Sequence, residues 1–74
     1  MYSGYLVKIL RTTKQINQKT VSEKLGFSQQ AYSKLERSEF INKSTVQKVL
    51  AALNCTLEEL EALRNILPSK KGVV

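Results

Sequence analysis

The chain contains no histidine, no aspartate and a single cysteine, Cys55. A lone thiol cannot close a disulfide within the chain, and without histidine it cannot complete a four-ligand zinc site. With no glycine-rich phosphate loop either, neither an enzyme nor a bound cofactor or metal is expected. The only proline is Pro68, so nothing earlier in the chain forces a helix to stop by removing a backbone donor. No apolar run approaches bilayer-spanning length. The amino-terminal residues, with Lys8, Arg11 and Lys14 following apolar positions, lack the order of regions of a signal peptide. A cytoplasmic protein that makes no membrane contact is expected.

What is present is positive charge, unevenly placed. Twelve Lys and Arg stand against six Glu, a net +6. Residues 1–53 carry nine of the cations and three of the acids, residues 54–67 carry Arg64 against Glu58, Glu59 and Glu61, and the tail adds Lys70 and Lys71. A polyanion is the partner this field suits, nucleic acid ahead of a membrane surface. The competing explanation is solubility alone.

Apolar positions recur at spacings of three and four, so the chain reads as all helical. Boundary signals divide it into five helices. The first covers residues 4–15, with Leu6, Val7 and Leu10 inward. Asn17 can cap a second, Gln18 to Leu25, which Gly26 ends in a left-handed conformation. Ser28 caps a third, Gln29 to Arg37, with Tyr32 and Leu35 on one face. The fourth, capped by Asn42 or Ser44, ends at Leu53, and Asn54 can take the left-handed position after it. Thr56 and Glu59 form a capping box that opens a fifth, ending before Pro68. None of these helices is long enough to be stable alone. Leu10, Val21, Leu25, Phe27, Tyr32, Leu35, Val46, Val49, Leu50, Leu53, Leu57 and Leu60 are the expected shared core. Residues 1–67 are expected to form one domain and residues 68–74 a flexible basic tail.

The second and third helices are joined by "LGFS", a short glycine-containing turn of helix-turn-helix dimensions. Small Ser22 lets the two helices approach. Read whole, "LR" at 10–11, "NQKTVSEKLGFSQQAYSKLER" at 17–37 and "ALNCTLEEL" at 52–60 resemble the lambda-repressor-like (XRE, Cro/C1-type) helix-turn-helix family over residues 6–62, without insertions. The resemblance implies a five-helix DNA-binding domain, usually a transcriptional regulator that binds a palindromic operator as a dimer.

By that resemblance Gln18 matches a glutamine that bonds a phosphate. Gln29, Gln30, Ser33 and Lys34 match positions that face bases. A glutamine amide offers one donor and one acceptor at the spacing of adenine N6 and N7, so it reads that base bidentately. Two adjacent glutamines at a helix start, poor in a core and poor in a salt bridge, then have a reason to be there. Arg11 and Glu36 match a structural ion pair. Asn17, Ser28, Arg37, Lys43 and Ser44 lie where phosphates should pass.

Some positions depart from the family. Ser38 replaces the usual glycine after the third helix, and Ile41 and Asn42 replace a proline-containing approach to the fourth, which leaves the path of residues 38–43 open. Cys55 takes a usually apolar position and reads as packing. The fifth helix carries more apolar residues than one small core needs. Leu63, Ile66 and Leu67 are the expected homodimer interface, with folding back over the first helix as the alternative. The expectation is a nucleoid-associated repressor that binds double-stranded operator DNA. A protein-interaction module with the same fold, such as an antitoxin holding a toxin, or an adaptor, is the rival.

Overall fold

A computed structural model describes residues 2–66. The helices are α1 (Gly4–Thr13), α2 (Gln18–Leu25), α3 (Gln29–Arg37), α4 (Lys43–Ala52) and α5 (Leu57–Ile66). Each start has a local cause. Side-chain oxygens of Ser3, Asn17, Ser28 and Asn42 accept from the backbone N–H groups of Tyr5, Thr20, Ala31 and Thr45. At α5 the capping box closes in both directions: the Thr56 N–H donates to the Glu59 carboxylate at 2.9 Å and the Glu59 N–H to the Thr56 hydroxyl at 3.1 Å. Between Asn42 and Ser44 the cap of α4 is therefore Asn42.

Three helices end in the same way. Gln15 at φ 60°, Gly26 at φ 75° and Asn54 at φ 59° adopt the left-handed conformation. In each case that residue and the next donate to carbonyls of the preceding turn: Gln15 to Thr12 and Ile16 to Arg11, Gly26 to Glu23 and Phe27 to Ser22, Asn54 to Ala51 and Cys55 to Leu50. This paired pattern satisfies carbonyls that a helix end leaves open. It also stops α1 at Thr13, short of the expected residue 15. Only Gly26 adopts the conformation without a side-chain penalty. The exit of α3 needs no such residue: Ser38 is extended, at φ −75° and ψ 144°, so the missing glycine is no obstacle.

The core gathers Leu6, Val7, Leu10, Val21, Tyr32, Val46, Val49, Leu50, Leu53 and Leu60, with Leu25, Leu35 and Leu57 packed at its margin. Phe27 was expected among them and is not; it is 38 % exposed. Tyr2 and Ile41 join the core unforeseen. They exchange two backbone hydrogen bonds, Tyr2 N–H to the Ile41 carbonyl at 3.1 Å and Ile41 N–H to the Tyr2 carbonyl at 2.7 Å, which form an isolated antiparallel bridge. One further bond, from the Gly4 N–H to the Ser38 carbonyl at 2.9 Å, completes the strap. The amino-terminal residues thus hold the segment between α3 and α4 in place.

α1 packs on α3, α4 and α5, while α2 packs on α3 and α4. α5 accordingly lies over α1, the alternative to a free interface. Leu60 is fully buried there and Leu63 packs on the core margin. Outside the core, Lys14 reaches Glu59 at 3.4 Å, and the Tyr2 hydroxyl donates to Glu61 at 2.9 Å beneath the Arg64 guanidinium, 5.5 Å from its ring centroid. Leu67 and the tail at 68–74 fall outside the described residues.

Two glycines separate backbone strain from crowding. A Cβ on Gly26 would meet nothing within 4 Å, whereas one on Gly4 would run into the backbone carbonyls of Leu35 and Glu36. Gly26→Ala is expected to cost about 1 kcal/mol from its left-handed φ alone, and Gly4→Ala to cost clearly more because α1 must move off α3. Urea denaturation of both variants checks the order; equal losses would mean that the α1–α3 contact yields easily.

Candidate nucleic-acid interface

α3 has two unlike faces. Tyr32 and Glu36 are buried, whereas Gln29, Gln30, Lys34 and Arg37 are exposed and Ser33 is half-buried. At 3.6 residues per turn the latter five fall within an arc of about 140°. No acid of α3 shares that arc, since its only one, Glu36, points inward. The outward face therefore offers two amides, a hydroxyl and two cations. Arg37 donates to the Ser33 hydroxyl at 3.0 Å, so these two side chains are coupled on the surface.

The inward face is anchored by charge. The Arg11 guanidinium donates to Glu36 twice, from Nε at 2.6 Å and Nη2 at 3.2 Å, and its Nη1 donates to the Ile16 carbonyl at 2.8 Å. The side chains are only 10 % and 2 % exposed. A third donor was not foreseen: the Gln18 amide reaches Glu36 Oε1 at 2.8 Å. Burial pushes the Glu36 carboxyl upward, but Arg11 foremost, then the neighbouring Tyr32 hydroxyl and Gln18, outweigh it and hold the group below the usual carboxylate range. Beside the pair sits the fully buried Tyr32. Its hydroxyl has no well-formed hydrogen bond among the described residues, and burial first, then the Glu36 charge, raise the phenol far above its ordinary range.

Apart from Arg37, the last residue of α3, the residues expected near phosphates occupy three helix starts. Asn17 and Ser28 serve as N-caps of α2 and α3, so their acceptor oxygens are engaged while the Asn17 NH2 group and the Ser28 hydroxyl proton stay available. Gln18 is half-buried with one amide proton committed to Glu36, which leaves one. Lys43 opens α4 in an exposed position. Ser44 turns its hydroxyl to the side-chain amide oxygen of Asn42 at 3.0 Å. Between α3 and α4 runs a groove of about 320 Å³ that places Lys34, Phe40, Asn42 and Thr45 together. Phe40, 69 % exposed, stands on its wall and was missed. Its alternation with buried Ile41 was the only signal for it.

A family model described as helix-turn-helix matches residues 7–60. The chain belongs to the Cro/C1-type (XRE) helix-turn-helix family. Its five helices, with no strand among the described residues and the helix-turn-helix at α2 and α3, have the lambda-repressor-like fold. The domain is thus a DNA-binding one of the transcription-regulator kind. No curated protein and no solved structure matches the chain. No helix among the described residues is long and apolar enough to cross a membrane.

The buried pair makes the domain sensitive to acid. Because the folded Glu36 carboxyl lies below its ordinary 4.5, its contribution is complete above that value and is lost as pH falls through the lowered one. Glu36→Gln is expected to flatten the acid limb of the stability curve. At neutral pH, Arg11→Met, which strands the carboxylate, is expected to cost ~3 to 5 kcal/mol. Denaturant melts from pH 7 to pH 3 test both; an unchanged acid limb in Glu36→Gln would assign acid sensitivity to other groups.

Proposed function

We propose that the domain is a transcriptional repressor that binds a palindromic operator as a homodimer, with α3 in the major groove of double-stranded DNA. The observation that carries this reading is the outward face of α3, where Gln29, Gln30, Ser33, Lys34 and Arg37 share one exposed arc. Gln29 and Gln30 are the base readers, with Ser33 and Lys34 beyond them on the same face. Asn17, Gln18, Ser28, Arg37 and Lys43 contact phosphates, Ser44 joining them if its hydroxyl turns from Asn42. On this reading the protein acts at the nucleoid, in the cytoplasm.

For the second copy, Ile66 at 75 % exposure supplies the contact, and Leu67, the next residue in sequence, is proposed to share it. Leu63 is already half-covered by the core and adds only its outer edge. The same exposed Ile66, with Phe40, favours a second reading in which a toxin-like or adaptor protein docks on the domain and DNA binding is secondary.

Selection of bound duplexes from a random library tests the primary reading. The expected product is a two-fold motif with half-sites about 34 Å apart, one helical turn. Weak, sequence-blind binding would refute operator recognition and favour the protein-docking reading. On the selected site, Gln29→Ala is expected to cost ~1 to 3 kcal/mol and to relax preference at one base pair per half-site. Lys43→Ala should instead weaken selected and scrambled DNA alike and reduce the salt slope by about 1. Identical profiles for the two variants would remove Gln29 from the base-reading set.

A further inference from the structure

α2 and α3 are joined at one end by the turn at residues 26–28. At the other end, Gln18, the first residue of α2, donates to Glu36, the penultimate residue of α3, at 2.8 Å. This bond spans the open end of the helix pair. We propose that Gln18 is a positioning residue for sequence recognition: its bond to Glu36 sets the crossing of α2 and α3 and thereby the placement of α3 in the groove. The proposal rests on the DNA-reading role given to α3, and it adds a second role for Gln18 beside its phosphate contact.

The charge balance of Glu36 does not require Gln18. Arg11 alone neutralises the carboxylate and makes two bonds to it. What Gln18 adds is direction. Apolar packing favours classes of crossing angle only as tendencies, with a scatter of about 15–20° from one helix pair to another, so it does not by itself single out one crossing. A hydrogen bond works only within a few tenths of an ångström and a limited angle. Placed far from the turn, it acts with the full leverage of the helix. The nine residues of α3 span about 13 Å, so a swing of ~10° about the turn moves the far end by ~2 Å, enough to break a base contact. The acceptor is itself immobilised by Arg11, whose Nη1 also holds the Ile16 carbonyl just before α2. The latch is therefore built on a fixed point.

The geometry gives a graded expectation. Gln29 and Gln30 sit beside the turn and move little, whereas Ser33, Lys34 and Arg37 sit along the lever. Loss of the latch should blur discrimination most at base pairs met by the far half of α3.

The test is Gln18→Met, which keeps the length and apolar stem and removes the amide. Gln18→Ala serves in its place if the methionine variant does not fold, as judged by thermal melting. Residual dipolar couplings on the free 15N-labelled protein report the α2–α3 orientation, and duplex selection with scrambled-DNA titration reports recognition. The expected result is a changed or broadened orientation and about a tenfold fall in preference for the selected site over scrambled DNA, on top of the loss common to both duplexes that follows from the missing phosphate contact. An unaltered orientation, with selected and scrambled duplexes weakened equally, would overturn the proposal and leave Gln18 a phosphate contact only. If the wild-type protein shows no preference for any duplex, the DNA-reading role of α3 fails. The couplings alone then decide whether the latch sets the crossing.

Discussion

A single buried carboxylate holds three helices in register. Glu36 of α3 receives Arg11 from α1 and Gln18 from α2, and Arg11 also secures the segment between α1 and α2. Taking a carboxylate and a guanidinium out of water costs several kcal/mol per ion, and only close geometry with further hydrogen bonds offsets that. Such a pair contributes little net stability compared with apolar side chains of the same size. Its effect lies in the number of arrangements it forbids, because any rotation of α3 that parts the groups leaves a charge buried alone. The outward residues of α3 inherit that definition.

Local chemistry supplies the rest of the frame. Five helices of eight to ten residues would not persist singly in water, yet every start has a side-chain cap and three ends share one left-handed closure. These devices fix where each helix begins and stops, and so which residues face the common core. The strap formed by Tyr2, Gly4, Ser38 and Ile41 then disciplines the segment between α3 and α4. Gly4 has no side chain because the carbonyls of Leu35 and Glu36 occupy that space. The amino-terminal strap and the buried pair thus act on the same end of α3.

The surface carries the consequences. Cations and amides gather on α3 and at the start of α4, while two of the three acids of α5 are engaged, Glu59 by its own cap and Lys14 and Glu61 by Tyr2. The division follows the charge asymmetry along the chain. It leaves the outward face of α3 without a carboxylate from that helix, a condition for approaching a polyanion. Of the two most exposed large apolar residues, Ile66 lies on α5, whereas Phe40 lines the groove beside Lys34.

Helix limits for α2 and α3, the left-handed Gly26 and Asn54 and the capping box at Thr56 were legible because each depends on residues within one turn of one another. The outward set on α3 was named from the family resemblance, which matches Gln29, Gln30, Ser33 and Lys34 to groove-facing positions, and helical geometry over so short a span puts them on one arc with Arg37. Phe27 was misplaced and the Tyr2–Ile41 bridge was missed because both depend on where distant segments come to rest. The Gln18–Glu36 bond, the Tyr32 hydroxyl beside the buried pair and the lay of α5 over α1 also required the tertiary structure. A sequence records which groups can bond to near neighbours, since short spacing limits the geometry to a few choices. Which groups meet across eighteen or more residues is decided only when all five helices bury their apolar faces together.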